Sequence, residues 1–187
     1  MNQNSILNSN IPEGILLINT VKHEDHRGYF SETFNQKKNI QFANLNFVQD
    51  NQSLSVQKYV FRGLHYQSPP FAQDKLIRVL RGTILDIVFD LRRSSKTFGK
   101  YASFEISSLK FNQILVPKGF AHGFLTLEEN TEVFYKVTDY YSPKHDFGIN
   151  IFDKDLNIKL PVENNKIILS QKDLNLPKFM KDNYYFD

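Results

Sequence analysis

The stretch KLIRVLRGTILDIVFDLR, residues 75–92, decides the fold class. β-Branched and aliphatic residues fill it on both sides of Arg81-Gly82, and a glycine at such a point is typical of a break between two strands. In the second half, every other residue forms one apolar face: Thr83, Leu85, Ile87, Phe89 and Leu91. Asp86, Asp90 and Arg92 share the other face. This alternation predicts a strand with one dry face and one face in contact with water.

Strand patterns recur along the chain, separated by clusters of Gly, Pro, Asn and Asp, as in sandwiches and barrels. The other predicted strands lie in ILLINTV (15–21), YFSETF (29–34), FVQDNQSLSV (47–56), KYVFRGLHY (58–66), FNQILVP (111–117), AHGFLTL (121–127) and TEVFYKVTDYY (131–141). Helices are predicted only in QKKNIQFA (36–43) and near the C-terminus. We therefore expect an all-β antiparallel barrel with a few short helices. We also expect one domain over residues 1–187, of which residues 1–11 form a flexible extension.

The composition argues against several classes of protein. The 187 residues include 23 Lys and Arg against 20 Asp and Glu, and this net charge of +3 is too small and too dispersed for a nucleic-acid binder. No cysteine is present, which excludes disulfides and thiolate metal ligands. No apolar run approaches the roughly 20 residues that span a bilayer, and the N-terminus does not read as a signal peptide. We expect a cytoplasmic protein without a nucleic-acid or membrane partner.

A few polar residues in the predicted strands need an explanation. Alternation along FRGLHYQ (61–67) places His65 and Gln67 on one face and Arg62 on the other. Because small barrels hold ligands inside, His65 either lines a cavity or makes a structural hydrogen bond. Three further residues have ordinary structural explanations when taken singly: Lys75 as a solvated lysine, Tyr135 as a core tyrosine and Asp173 as a helix cap or turn residue.

One segment bears on metal binding. PKGFAH (117–122) is similar to the second metal motif of the cupin barrels, Pro-x-Gly-x-x-His. The first cupin motif needs a His-x-His pair followed by a Glu, whereas this chain has His65-Tyr66-Gln67, and no Glu follows them before position 105. Two imidazoles without a carboxylate make a poor site for a divalent metal. The resemblance therefore implies a cupin-like jelly roll, while the residues predict no metal and leave His65 available for proton chemistry.

Eight motifs, in order, resemble the dTDP-4-dehydrorhamnose 3,5-epimerase family of cupin-fold enzymes. They are DHRGYFSE (25–32), FVQDNQS (47–53), FRGLHYQ (61–67), QDKLIRVLRG (73–82), VFDLRRSSKTFG (88–99), VPKGFAHGFLTL (116–127), FYKVTDYYSP (134–143) and LSQKD (169–173). The chain departs from the family at two tryptophan positions, where it has Ile151 and Leu160. It also departs at a glutamate after the tyrosine pair, where it has Asp146.

The resemblance implies an isomerase that inverts C3 and C5 of dTDP-4-dehydro-6-deoxy-D-glucose without a metal or cofactor, in the biosynthesis of dTDP-L-rhamnose for surface polysaccharides. Both carbons flank the C4 ketone, so loss of either proton gives an enolate with its charge on the C4 oxygen. By this resemblance His65 is the base and Asp173 orients it. Lys75 stabilises the enolate oxygen, and Tyr135 returns a proton to the other face at C5.

The resemblance also implies the binding residues. Arg62, Lys75 and His122 surround the sugar and diphosphate. Tyr141 stacks on the thymine, while Tyr140, its neighbour on the strand, points the other way. Further polar contacts come from Gln49, Asp50, Asn51, Asp146 and Lys172. In a homodimer, Arg27 and Glu32 reach the site of the neighbouring subunit.

Three other functions stay open on the sequence. A 3-epimerase acting on a related dTDP-4-keto-6-deoxy sugar would use the same histidine, aspartate and lysine, and it would differ in where Tyr135 stands relative to C5. A non-catalytic cupin that binds sugar nucleotides would have no use for His65 and Asp173 together. A metal-dependent cupin oxygenase would need the missing carboxylate ligand.

Overall fold

A computed structural model describes residues 11–38, 42, 44–183 and 185–187. Its strands are β1 (Leu16–Asn19), β2 (His23–Asp25), β3 (Gly28–Phe30), β4 (Gln49–Ser55), β5 (Phe61–Gln67), β6 (Lys75–Arg81), β7 (Thr83–Asp90), β8 (Tyr101–Ser107), β9 (Asn112–Val116), β10 (Phe120–Thr126), β11 (Thr131–Val137) and β12 (Asp146–Gly148). Two 3-10 turns, Lys154–Leu156 and Asn164–Lys166, precede the short helix α1 (Gln171–Leu174). No helix in the described ranges is long and apolar enough to cross a membrane.

The strands form two five-stranded antiparallel sheets and a separate β2–β3 hairpin. The first sheet has the order β1-β9-β6-β11-β4 and the second has the order β12-β5-β10-β7-β8. Apolar side chains from both sheets, such as Ile77 and Val133 from the first and Val88 and Phe124 from the second, pack into one cluster between them. The predicted all-β, cupin-like jelly-roll barrel is therefore confirmed, and this shared cluster is its interior.

The outer face of each sheet is also covered. Over the second sheet, Leu64, Ile87 and Phe89 pack against residues from the C-terminal segment that follows β12. Over the first sheet, Leu76 and Leu115 pack against Phe42 and its aromatic neighbours. Because both sheets are covered on two sides, a polar side chain is easily accommodated in their middle strands only where it has a polar partner.

The break predicted at Arg81-Gly82 is confirmed, and it is the point where the chain passes from one sheet to the other. Gly82 has φ +83°, and a Cβ atom there would lie 2.5 Å from the Oγ1 atom of Thr131. Only glycine fits such a position, because any other residue would be strained at this positive φ and its Cβ atom would clash with Thr131.

The predicted wet face of β7 is wrong. Asp86 and Asp90 are both fully buried, at 0% exposure. Leu85, Ile87 and Phe89 face the C-terminal segment, whereas Ile84 and Val88 face the barrel interior. The alternation was read correctly as two faces, but the polar face points into the barrel because both sides of this sheet are covered.

Several predicted boundaries also change. The strand predicted in YFSETF ends at Phe30, and Tyr140 and Tyr141 lie in a loop beyond the end of β11. The sequence pattern predicts no strand at β2, β8 or β12; two of these have three residues, and β8 (YASFEIS) has few β-branched residues. Of the helix predicted at 36–43, residues 36–38 form a turn, and residues 39–41 and 43 lie outside the described residues, as do residues 1–10. The short C-terminal helix is confirmed as α1.

Candidate active site

A bulge in β5 shapes the wall of the site. In the pairing with β10, His122 lies opposite His65, and Phe124 lies opposite Arg62, so β5 has one residue more than β10 over this interval. Gly63 lies in the interval with φ +126°, and a Cβ atom there would come within 2.6 Å of the β10 backbone. The close approach of two strand backbones at a bulge therefore requires glycine at this position.

The bulge ends the simple alternation that the sequence predicted for β5. Phe61 and Leu64, three positions apart, both belong to the apolar cluster over the second sheet. Arg62 and His65 both line the same interior cavity, so the prediction that they face opposite ways is wrong. Gln67, predicted on the face of His65, does not line the cavity. The extra residue rotates one part of the strand relative to the other.

The cavity has a volume of about 520 Å³, which suits a small-molecule site. Its apolar wall includes Ile77, Phe124 and Val133 from the barrel interior. Its polar wall gathers residues that lie far apart in the chain: Arg62, His65, Lys75, His122, Tyr135, Lys172 and Asp173. Both sheets and the short helix α1 therefore contribute to one site.

His65 and Asp173 form a hydrogen-bonded pair, with 2.6 Å between Nε2 of the histidine and Oδ1 of the aspartate. The side chain of Ser170 caps α1 by accepting from the Asp173 backbone N–H at 3.1 Å, which places Asp173 in the first turn. Burial raises the pKa of Asp173, but hydrogen bonds from His65, the Gly63 backbone and Ser170 outweigh it, and the net pKa is lowered. Asp173 is therefore ionised at neutral pH and suited to orient the imidazole.

Lys75 begins β6 and extends into the cavity wall. Burial lowers the pKa of its ammonium from 10.5 to about 8, against the opposing charges of Asp146 and Asp86. Within the described ranges, no carboxylate lies within ion-pair distance of Lys75. A lysine that is partly desolvated and has no direct partner is a cation available to a ligand.

Tyr135 occupies the middle of β11, where it lies opposite Ile77 of β6. It packs against the interior cluster while its ring lines the cavity. Burial raises the pKa of the phenol, and the charge of Arg62 acts in the opposite direction. Among the residues that the structure describes, none forms a hydrogen bond with its hydroxyl group. The phenol is therefore protonated and available to a bound molecule.

A second histidine–carboxylate pair, His122 and Asp86, lies beside the first. Only His122 was among the site residues predicted from the sequence. His122 Nε2 lies 2.7 Å from Oδ2 of Asp86. The Oδ1 atom of Asp86 is buried and has no hydrogen-bond partner in the described part of the chain. The sequence signal was a carboxylate in the middle of an otherwise apolar strand, TILDIVFD, in which the structure shows both Asp86 and Asp90 to be buried. A buried strand keeps a carboxylate only where something binds it.

Three of the predicted binding residues, Tyr141, Asp146 and Lys172, meet beside the cavity, which Lys172 lines. Asp146 accepts hydrogen bonds at its Oδ2 atom from Lys172 Nζ at 2.6 Å and from the Tyr141 hydroxyl at 3.0 Å. The hydrogen bond to Asp146 is the main reason that the pKa of Lys172 is raised, and the same holds for Tyr141. The aspartate that replaces the family's glutamate thus reaches both neighbours despite its shorter side chain.

The residues predicted at the start of β4 divide between two faces. Gln49 donates to the Oδ1 atom of Asn51 at 2.9 Å and accepts from the Tyr141 backbone N–H at 3.0 Å. Asp50 points the other way and pairs with Lys136 Nζ at 2.8 Å on the outer face of the first sheet. The structure therefore brings Gln49 and Asn51 towards Tyr141. Within one chain, it does not bring Asp50 to these residues.

Arg27 and Glu32 lie on and just after the β2–β3 hairpin, away from the cavity of their own chain. Arg27 pairs with Asp25 at 2.6 Å, and Glu32 pairs with Lys38 at 3.0 Å. Neither of them lines the cavity. A contribution from these two residues to a site in a neighbouring subunit stays a prediction.

The arrangement suits proton transfer next to a carbonyl group. It offers an imidazole paired with a carboxylate, a lysine ammonium and a phenol around one cavity. An enolate mechanism requires groups of these three kinds, as base, oxyanion partner and acid. Within the described ranges, no group of three or more His, Cys, Asp or Glu side chains is placed to hold a metal ion.

The family comparison agrees with the geometry. Residues 9–181 match the model of a family described as dTDP-4-dehydrorhamnose 3,5-epimerase. An enzyme of that name from Shigella flexneri is 41% identical over 183 residues, covering 97% of this chain and 99% of the relative. Another from Sinorhizobium fredii is 46% identical over 166 residues, covering 87% of this chain and 84% of the relative.

Three solved structures are also similar to this chain in both fold and sequence. The dTDP-4-dehydrorhamnose 3,5-epimerase of Bacillus anthracis, with TDP and PPi bound, has a TM-score of 0.85 and 44% identity over 88% of this chain and 94% of its own. The 3,5-epimerase of Legionella pneumophila, in complex with dTDP-4-keto-L-rhamnose, has a TM-score of 0.80 and 39% identity over 89% and 94%. A 3'-monoepimerase from Streptomyces bikiniensis, in complex with dTDP-quinovose, has a TM-score of 0.82 and 30% identity over 89% and 84%.

Proposed function

Because this chain belongs to the dTDP-4-dehydrorhamnose 3,5-epimerase family, we propose that it inverts C3 and C5 of dTDP-4-dehydro-6-deoxy-D-glucose, on the route to dTDP-L-rhamnose. The observation that carries the proposal is the His65–Asp173 pair, which opens onto the same cavity as Lys75 and Tyr135. Family membership supplies the substrate, and the pair supplies a base that the substrate's acidic C–H groups require.

His65 is the base in this mechanism. An ionised carboxylate only accepts hydrogen bonds, so the pair with Asp173 places the hydrogen on Nε2 of His65 and leaves the lone pair on Nδ1. Nδ1 takes the proton from C3 or C5, and the electron pair of the broken C–H bond moves through the ring carbon to the C4 oxygen. Asp173 then stabilises the imidazolium that forms.

Lys75 stabilises the enolate. Its ammonium has no ion-pair partner among the described residues, and its lowered pKa of about 8 still leaves it mostly charged at neutral pH. A preorganised cation beside a developing oxyanion contributes on the order of 3 kcal/mol to the transition state. The step is a proton transfer with no net oxidation, so the enolate needs only this charge and an acid.

Tyr135 is the acid that completes inversion at C5. Its raised pKa keeps the phenol protonated at neutral pH. To invert a centre, the proton must return on the face opposite to the one from which the base removed it. Tyr135 lies on β11 of the first sheet and His65 on β5 of the second, so the two groups approach the cavity from different walls.

Cationic side chains hold the diphosphate. The Arg62 guanidinium is anchored by the Ser55 hydroxyl at 3.2 Å and by the Leu54 carbonyl at 3.1 Å, so it extends across the cavity wall in a fixed direction. Lys172 and Lys75 line the same cavity. Positive charge concentrated in a low-dielectric cleft favours a ligand with two phosphates.

A homodimer follows from the same proposal. Leu17, Val21, Tyr29 and Phe30 in β1, β3 and the segments beside them are 48% to 71% exposed, which is unusual for four large apolar side chains in one region. A second copy would cover this surface and bring its Arg27 and Glu32 to the cavity of its neighbour. A cytoplasmic location is likewise part of the proposal, as the expected place of a nucleotide-sugar enzyme.

The decisive experiment incubates the protein with dTDP-4-dehydro-6-deoxy-D-glucose in deuterated buffer and counts deuterium at each carbon by NMR. A 3,5-epimerase introduces deuterium at both C3 and C5 with inversion. The His65→Asn variant should bind dTDP and introduce none, and it serves as the control for spontaneous exchange. Absence of enzyme-dependent exchange at both carbons would reject the proposed reaction.

A 3-epimerase is the second candidate, because a 3'-monoepimerase shares the fold at a TM-score of 0.82. The same experiment separates the two functions. A 3-epimerase gives a product inverted at C3 alone, whereas the double epimerase gives the L-configured sugar. Both functions need a donor on the face opposite His65, so Tyr135 alone does not separate them; the higher identity to a 3,5-epimerase, 46% against 30% for the 3'-monoepimerase, favours the double inversion.

A further inference from the structure

The loop between β11 and β12 carries two exposed tyrosines on a tightly held backbone. Tyr140 is 64% exposed and Tyr141 is 54% exposed. Connecting loops on a surface are ordinarily the most mobile part of a β-barrel. In this loop, side chains from three other segments bond to the backbone next to the tyrosines, so an explanation is needed for so much order at an exposed position.

Gln67 makes two of these bonds, on the two sides of Tyr141. It is the last residue of β5 and is only 4% exposed. Its Nε2 atom donates to the Tyr140 carbonyl at 3.1 Å and to the Phe71 carbonyl at 2.7 Å. Its Oε1 atom accepts from the Ser142 N–H at 2.7 Å. The carbonyl before Tyr141 and the amide after it are therefore held by one buried amide side chain.

Two more glutamines continue this pattern. Gln49, the first residue of β4, accepts from the Tyr141 N–H at 3.0 Å, and Gln73 donates to the Asp139 carbonyl at 2.8 Å. β4 belongs to the first sheet and β5 to the second, so Tyr141 is held from both sheets of the barrel. A movement of the loop in either direction would break a hydrogen bond to a side chain with little freedom of its own.

The ring of Tyr141 is connected to the cavity. Its hydroxyl donates to Asp146 at 3.0 Å, and Asp146 also accepts from Lys172 at 2.6 Å. Lys172 lines the cavity that contains His65. The hydroxyl end of the ring is thus linked through Asp146 to a residue of the cavity wall, while more than half of the residue's surface stays open.

We propose that Gln67 is a positioning residue that, by holding the peptide groups on both sides of Tyr141, presents this ring for stacking on the nucleobase of the substrate. The inference rests on the proposed function, because it takes the ligand to be a nucleoside diphosphate sugar. Gln67 does not line the cavity and acts through Tyr141 alone. It therefore contributes to affinity for the base and not to the chemistry at C3 and C5.

The physical reason is preorganisation. A ring on a mobile loop loses conformational freedom on stacking, and this loss is a cost of binding. Gln67 removes that cost before the ligand arrives. Burying an amide in turn requires that its polar atoms be bonded, and the loop's Tyr140 carbonyl and Ser142 N–H, with the Phe71 carbonyl, meet this requirement. The loop and the glutamine therefore stabilise one conformation together.

The test measures binding of dTDP and of pyrophosphate by calorimetry to the full-length protein and to the Gln67→Met variant. Methionine keeps the length and volume of the side chain and removes its hydrogen bonds. We expect the Kd for dTDP to rise about 10-fold, in line with a weakened base–aromatic contact. The Kd for pyrophosphate, which has no base to stack, should stay within twofold, and kcat should be unchanged while KM rises.

A control variant and a double-mutant cycle separate positioning from general damage. Asn112 holds the β8–β9 turn by accepting from the Ser107 N–H and donating to the Glu105 carbonyl, and none of these residues lines the cavity. Asn112→Leu should therefore leave the Kd for dTDP unchanged. In a Tyr141→Ala background, Gln67→Met should cause no further loss, because the ring through which it acts is gone.

The outcomes are distinguishable from failure of the proposed function. If the unaltered protein binds no dTDP, the proposed function falls. If it binds dTDP and Gln67→Met binds it equally well, the inference is wrong. Equal losses for dTDP and pyrophosphate, or additive losses with Tyr141→Ala, would also overturn it. Should Gln67→Met fail to fold, Gln67→Asn keeps the amide but is one methylene too short to reach the loop, and the same result is expected.

Discussion

The Nε2 atom of His65 lies 2.6 Å from the Oδ1 atom of Asp173, although 108 positions separate the two residues in the chain. A strand of the second sheet supplies the histidine, and the helix α1, capped by Ser170, supplies the aspartate. The contact fixes which imidazole nitrogen carries the hydrogen, and it stands on the wall of the cavity that also holds Lys75 and Tyr135.

Replacing the carboxylate tests this relationship. Asp173→Asn keeps the size of the side chain but removes the charge that stabilises the imidazolium, and the amide can hold the wrong tautomer of His65. We expect kcat to fall by about 10²- to 10⁴-fold, the range for loss of a positioned acid–base group. Steady-state kinetics measures the fall, and an unchanged Kd for dTDP shows that the site is intact. A kcat within threefold of the parent would mean that Asp173 does not orient the base.

Lys75 should set the alkaline limb of the pH profile. Because burial lowers its pKa to about 8, Lys75 is charged below that pH and becomes neutral above it. The enolate requires the charged form, so kcat/KM should fall as the pH rises through about 8. Lys75→Arg, whose guanidinium stays charged, should show a lower rate without this limb. An unchanged limb in the arginine variant would assign it to another group.

Tyr135→Phe should separate the two inversions. The ring keeps its packing against the interior cluster, and only the proton donor is lost. We expect net inversion at C5 to fall by about 10²- to 10⁴-fold, while exchange driven by His65 persists and the C3-inverted sugar accumulates. NMR of the product in deuterated buffer reports each centre. Inversion at C5 as fast as in the parent would show that another acid or a water molecule donates the proton.

Subunit complementation tests the proposed exchange of Arg27 and Glu32 between chains. Arg27→Ala and His65→Asn should each reduce activity strongly as homodimers. When the two are co-expressed with different tags, the mixed dimer contains one site with a normal His65 and a normal Arg27 from its neighbour. About a quarter of the parental activity should therefore return in a 1:1 mixture of subunits.

Two controls make the mixing result specific. Light scattering should show a dimer for both variants, and each variant mixed with itself should gain nothing. If Arg27 served the site of its own chain, neither site of the mixed dimer would be complete and no activity would return. A fully active monomer at the assay concentration would reject the exchange altogether.

Local pattern was a good guide to some features and a poor one to others. The break at Gly82 and the faces of β7 followed from residues within a few positions of each other, since side chains alternate strictly along a strand. The prediction that the face with Asp86 and Asp90 is exposed to solvent failed, because burial of a sheet face depends on what packs against it. The prediction that Arg62 faces away from His65 failed as well, because the bulge at Gly63 arises from the pairing of β5 with β10.

The amino-acid sequence by itself determined the all-β class, most strand positions and the supply of a histidine, a lysine, a tyrosine and an aspartate for proton chemistry. Strand periodicity is local, and the ordered motifs identify the family whatever the exact contacts. Only the tertiary structure decided which of these groups meet. It placed Asp86 against His122, turned Asp50 to the outer face and tied Gln67 to the loop of Tyr141. Such contacts depend on how distant strands pair and on which faces are covered, and no single stretch of the chain contains that information.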